Sequence, residues 1–178
     1  MPAATHLNLR PHPATPCAAV DSIVVTVAFD PAGHLRLTYV LASDLSRLRL
    51  PAAAARPGPA DGLWRHTCFE AFVGPDDAPD YREFNFAPSG HWAAYAFSAE
   101  RVRATAPTIA PRITCQRDAH TLTLEALLPL PPSSAPLRLG LSAVIETADG
   151  ALSYWALAHP APRPDFHQRA GWTLRLER

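Results

Sequence analysis

Twenty prolines are spread through a chain of 178 residues, and they fall almost wholly between runs of alternating apolar and polar residues. Proline lacks a backbone donor and breaks the interior of a helix, so this distribution argues against long helices and suits strand edges and connections. The runs have strand length. Candidate strands are 22–29, 35–42, 48–50, 63–73, 81–87, 92–97, 112–117, 121–128, 137–147, 152–157 and 172–176. Turn signals lie at 30–33 (DPAG), 88–90 (PSG), 117–120 (RDAH) and 148–150 (ADG). The expected fold is all-β: an antiparallel two-sheet β-sandwich, jelly-roll-like, with few or no helices. The segment 51–61 (PAAAARPGPAD) reads as a flexible connection, and 1–20 as a loosely ordered N-terminal arm on a single domain spanning 1–178. The expected core is Val25, Val27, Leu37, Phe69, Phe84, Phe86, Leu124, Leu139, Leu141 and Val144.

Composition removes several function classes. Sixteen basic and sixteen acidic residues balance, and no block of like charge marks a nucleic-acid or anionic-membrane surface. No apolar run has the length of a signal-peptide core or a bilayer span, which leads to an expected cytoplasmic location. Cys17, Cys68 and Cys115 are odd in number and scattered, so they give neither a disulfide framework nor a zinc pattern. The chain has no Gly-rich phosphate loop, G-x-S-x-G elbow or H-E-x-x-H pair.

The segment 63–97, LWRHTCFEAFVGPDDAPDYREFNFAPSGHWAAYAF, carries the most chemistry. Read as strands, one face of 64–72 carries Trp64, His66, Cys68, Glu70 and Phe72, while Phe69, Ala71 and Val73 lie on the other. The stretch 81–86 repeats the split, with Tyr81, Glu83 and Asn85 opposite Arg82, Phe84 and Phe86. Aromatic planes beside carboxylates and an amide suit a sugar, the planes covering ring faces and the polar groups taking hydroxyls. The second feature is 159–167, HPAPRPDFH. Its prolines hold it extended, so it presents His159, Arg163, Asp165 and His167 from a stiff arm able to clamp a ligand. Arg163 is suited to a carboxylate or phosphate. A metal site from His66, His159 and His167 with Glu70 or Asp165 is an alternative without a recognised local motif; the expected site holds no metal.

WRHTCFEAF followed by YREFNFAPSGHWAAY resembles the DOMON-like domains, β-sandwich relatives of the family 9 carbohydrate-binding modules of xylanases. Trp64, Glu70, Tyr81, Glu83, Phe84, Phe86, Pro88 and Gly90 occupy the matching positions, and 152–174 resembles the end of stand-alone bacterial members. The resemblance implies a small-molecule ligand, a carbohydrate or amino sugar, clamped between two Trp rings; Trp64, Trp92, Trp155 and Trp172 are the candidates, and Trp64 and Trp155 are preferred because Trp92 and Trp172 lie in strands suited to core packing. It also implies haem as an alternative ligand class. The haem branch uses a Met and a His, and the one methionine here is Met1; a His-only site stays open. The expected ligand-binding residues are Trp64, His66, Glu70, Glu83, Asn85, Trp155, His159 and Arg163, with no catalytic residue and no cofactor assigned. The expected function is non-catalytic binding. The alternatives are a haem or other cofactor-binding domain, or an enzyme working from the Glu70/Glu83/His66 face.

Overall fold

The computed structural model describes residues 4–132 and 135–177. It is all-β, with twelve strands: β1 (Thr5–Pro11), β2 (Val20–Phe29), β3 (Leu35–Ser43), β4 (Cys68–Pro75), β5 (Tyr81–Phe86), β6 (Trp92–Ala99), β7 (Val102–Ala104), β8 (Arg112–Arg117), β9 (Thr121–Leu128), β10 (Leu137–Glu146), β11 (Leu152–Ala156) and β12 (Leu174–Leu176). The helical content of the described residues is three 3-10 turns. All strand pairings are antiparallel, and hydrogen bonding runs in the order β7-β6-β5-β4-β10-β11-β1-β2-β3-β9-β8, with β12 paired to β10. Met1 lies outside the described residues.

This continuous sheet folds over into two layers. Strands β1, β2, β3, β9 and β8 form one and β7, β6, β5, β4, β10 and β11 the other. The layers meet through one apolar core in which Ile23, Val25, Leu37, Tyr39, Leu41 and Leu124 face Phe69, Phe84, Phe86, Leu139, Leu141 and Ile145. The Tyr39 ring lies 5.1 Å from that of Phe69, and its hydroxyl donates to the Glu70 carbonyl at 2.8 Å across the interface. Nine of the ten expected core residues lie in this interface. Val144 does not. Alternation along β10 sends Ala143 and Ile145 into the core and turns Val144, also buried, to the outer face.

Two connections differ from expectation. The segment 1–20 is no loose arm over its described length, because β1 pairs with β2 through residues 5–9 and with β11 through residues 10–11. One strand thus belongs to both layers. The 51–61 connection is pinned: Ala54 N donates to Ser89 O at 2.9 Å, Trp92 N to Gly58 O at 3.1 Å and Ala60 N to Trp92 O at 2.8 Å. Its alanines and prolines concealed this, since the bonds use only backbone groups.

The outer face of β4, β5, β6 and β10 is buried as well. The segment after β11 folds back over it. A second apolar cluster of Phe72, Tyr81, Phe97 and Trp172, with Phe166 packed against it, seals the two together. Gly140 is required here, because a Cβ at that position would overlap the Trp172 indole.

Truncating Phe84, fully buried between the layers, to Ala should lower the unfolding free energy by about 3–5 kcal/mol. Urea denaturation measures this, and a near-zero change would show that the ring has no packed partner layer.

Candidate functional site

Between the outer face and the returning segment lies a cavity of about 390 Å³. β4 and β5 form its floor. Their register places Glu70 opposite Asn85 and Phe72 opposite Glu83, so period-two alternation brings the polar residues of both strands to one face. Glu70 is 3 % exposed and Glu83 6 %, and both reach the cavity. Phe72, Phe97, Val144, Tyr154 and Phe166 supply apolar wall, and Trp64, Arg101 and Arg103 line it too.

The electrostatics of the floor follow from burial. Asn85 Nδ2 donates to Glu83 Oε1 at 2.8 Å, which fixes the Glu83 carboxyl. The Glu70 carboxyl has no hydrogen-bond partner among the described residues. Burial, reinforced by Glu83, pushes Glu70 well above the usual carboxylate range. Glu83 is also raised by burial, while the Asn85 bond and the Arg103 and Arg101 charges pull it back down. The floor is therefore one carboxyl biased towards its protonated, donating form beside one held by an amide.

The returning segment adds His167. Arg101 N donates to the Tyr81 oxygen at 3.1 Å, which leaves the Tyr81 O–H to donate to His167 Nδ1 at 2.6 Å. The other ring nitrogen then carries its hydrogen towards Glu83 Oε2, 3.6 Å away. Burial, then the Arg101 and Arg103 charges, lower His167 to about 4 against the opposing pull of Asp165. A Tyr81–His167–Glu83–Asn85 chain thus runs from β5 to the returning segment and back to the floor.

The sequence-predicted residues divide. Trp64, Glu70 and Glu83 line the cavity. Trp64 gets there through a 3-10 turn at Leu63–Arg65 rather than by strand alternation, and it is 38 % exposed. Asn85 is fully buried behind the floor and acts through Glu83. The other four lie elsewhere. Trp155 is on the core face, its Nε1 donating to Ser153 Oγ at 3.0 Å; its neighbour Tyr154 points into the cavity instead. No Trp64–Trp155 clamp forms. His66 turns away to Glu146 Oε2 at 2.7 Å. His159 donates to the Arg10 carbonyl at 2.8 Å, anchoring the returning segment to β1. Arg163 is exposed and lies outside the cavity lining. Among the described residues no three His, Cys, Asp or Glu side chains are grouped to hold a metal, so His66, His159 and His167 form no cluster.

Arg101, Arg103, Tyr154, Asp165, Phe166 and His167 complete the lining, with Phe72 and Phe97. The Pro-stiffened arm signalled Asp165 and His167. Nothing in the sequence signalled the arginines, which depend on the β6–β7 hairpin adding β7 at the edge of the sheet.

No family model matches the chain, and no curated protein matches its sequence. The fold is similar to the crystal structure of a protein from Bacteroides uniformis described as a candidate carbohydrate-binding protein. The TM-score is 0.66 at 14% identity, over 94% of this chain and 84% of that one. At that identity the likeness shows the fold alone.

Two outcomes test this geometry. By NMR, one imidazole should stay neutral down to about pH 4, and His167→Gln should remove that signal. An unfolded imidazole titrates near about 6.5, so between these values the unfolded chain binds more protons. This group's contribution to stability should be constant above that range and fall as pH drops towards about 4. Glu70 has the opposite sign: a raised carboxyl costs stability as pH climbs above the unfolded carboxylate range. Separately, Gly140→Ala should destabilise by about 1–3 kcal/mol through overlap with Trp172, seen as a lower urea midpoint together with altered tryptophan fluorescence.

Proposed function

We propose that this protein binds a carbohydrate, a sugar or amino sugar, without transforming it. The observation that carries the reading is Glu70: a carboxyl buried at a cavity floor, without a hydrogen-bond partner among the described residues, in a cavity shared with a second carboxyl and an exposed indole. A buried polar group wants a partner. A ligand hydroxyl, which both donates and accepts, satisfies Glu70 in its protonated form and Glu83 in its charged form. The apolar walls and Trp64 suit the ring faces of such a ligand. The description of the Bacteroides uniformis protein supports the same class, and the DOMON-like resemblance adds the family 9 modules as the proposed kinship. The two-indole grip of that family is not part of the proposal; one indole, Trp64, is the platform.

The His167–Glu83 approach favours a second reading, in which the Tyr81–His167–Glu83 chain moves a proton on a bound small molecule. Turnover of any sugar isomer that is lost in both Glu83→Gln and His167→Gln would establish it.

The main reading is tested by thermal shift and calorimetry against a panel of neutral and amino sugars. Trp64→Ala should abolish binding while leaving the melting temperature largely intact, because the indole contributes to the ligand and little to either apolar cluster. Glu83→Gln should weaken binding by about 1.5–3 kcal/mol, the worth of a charge-assisted hydrogen bond. Parent-like binding by both variants would mean that the ligand sits elsewhere.

A further inference from the structure

We propose that the ligand of this cavity carries an anionic group, a carboxylate or a phosphate, held at the mouth by Arg101 and Arg103. The proposal rests on the carbohydrate reading and narrows it to acidic sugars.

The first support is backbone strain. Arg101 has φ 59 and is the one non-glycine residue at positive φ among the described residues. It sits in the hairpin between β6 and β7, where the register shifts by a bulge between Phe97 and Ala99. Glycine is the ordinary occupant of such a position, because a Cβ is disfavoured there. Here the position is filled by the longest cationic side chain. Its backbone N–H is tied to Tyr81, and its side chain lines the cavity. Strain of this kind collects where a side chain has a task that a plain turn residue cannot perform. Arg101 Nη2 donates to Asp165 Oδ1 at 2.6 Å, which leaves the other guanidinium donors available at the mouth.

The second support is Arg103. Its guanidinium lies 3.7 Å from the Tyr95 ring centroid and 5.0 Å from that of Phe97. Stacking uses the flat face of the group and fixes its plane. The N–H donors at its edge have no hydrogen-bond or ion-pair partner among the described residues. A planar, pre-oriented fork without a carboxylate is suited to an incoming one.

The third support is the shared mount. Tyr95 is anchored through its hydroxyl to Asp61 Oδ1 at 2.5 Å. It carries Arg103 on its face and meets Trp64 edge-on, with ring centroids 6.1 Å apart. One tyrosine thus positions both the sugar platform and the unpaired cation. Trp64 and Arg103 line the same cavity, so a ligand whose ring covers Trp64 can meet Arg103 through a charged substituent. The two floor carboxyls do not repel an anion there as two full charges would, because burial biases Glu70 towards its neutral form.

The test is calorimetry at low salt with matched sets that differ only at C6: glucose, glucuronate and glucose 6-phosphate, with the galactose and mannose equivalents. The acidic member of at least one set should bind tenfold or more tighter than its neutral parent. Arg103→Gln should remove that ratio, and added salt should shrink it. A uronate preference assigns a carboxylate, and a phosphate preference assigns a phosphate. Arg101→Gly should reduce the ratio while keeping or raising the melting temperature, because it relieves the strained φ. A destabilised Arg101→Gly would make that arginine structural and overturn its part. Neutral sugars that bind as tightly as their acids, with binding still lost in Trp64→Ala, would overturn this inference and leave the carbohydrate reading standing. If Arg103→Gln weakens neutral and acidic members equally, Arg103 serves only to hold Tyr95, and the inference is again overturned. No binding by any member at millimolar concentration would overturn both.

Discussion

One layer of this sandwich is buried on both faces, and most of the structure answers to that. A sheet with one wet face can leave its outer polar residues to water. Here the outer face of β4, β5 and β10 is covered by the segment after β11, so Glu70, Glu83, Asn85 and Ser142 are all under cover. Burying polar groups is tolerated only with partners. Asn85 solves the problem for Glu83, and hydrogen bonds with Arg49 and His66 solve it for Glu146. Glu70 and the Ser142 hydroxyl, opposite each other in the β4–β10 register, are left without a partner among the described residues, and of the two Glu70 is the one that reaches the cavity. The cavity is thus the place where a covered sheet was not filled, with an unpartnered carboxyl at its floor.

The cover is held in three ways, each matched to its local sequence. His159, stacked edge-on with His12, fixes the near end to β1. The middle does not run extended as its prolines suggest: it bends at 161–163, where His12 Nε2 donates to the Ala161 carbonyl at 3.1 Å, and turns again at 166–167. Phe166 and Trp172 fix the far end by packing on Phe72, with Trp172 seated over Gly140. Residues 164–167 lead into the far anchor and include its Phe166, and this is where the cover contributes to the lining.

How far the sequence discloses this depends on the range of the signal. Period-two alternation made β2–β6 and β8–β11 legible, because each apolar run is its own evidence. It also disclosed that Glu70, Glu83 and Asn85 share a face. It failed by one position at two places. The near-continuous apolar run in β10 gives no parity for Val144, and the polar surroundings of Trp155 point that residue to the site; the register instead turns Val144 outward, seats Trp155 in the core and puts Tyr154 in the wall. β1 was missed because Thr5–Pro11 mixes charged and polar residues on a strand that borrows its stability from two neighbours. β7 was missed because its three residues are exposed. His66, His159 and Arg163 have the right chemistry for a ligand, but their contacts come from Glu146, Arg10 and solvent, none of which is near them in sequence.

β1 imposes an order of events on the folding chain. Its first half needs only β2, the next strand along. Its second half needs β11, and the contacts around it reach still further: His12 bonds the carbonyl of Ala161 across a separation of 149 residues. Closing a loop of that length is entropically expensive before any contact rewards it, and folds built on such pairings form slowly. Pairing at residues 10–11 can therefore be made only with a strand that lies some 140 residues further along the chain. The contacts that join the two layers into one sheet are thus among the longest-range in the molecule, and the anchor of the roof over the cavity, His159 on Arg10, sits beside them.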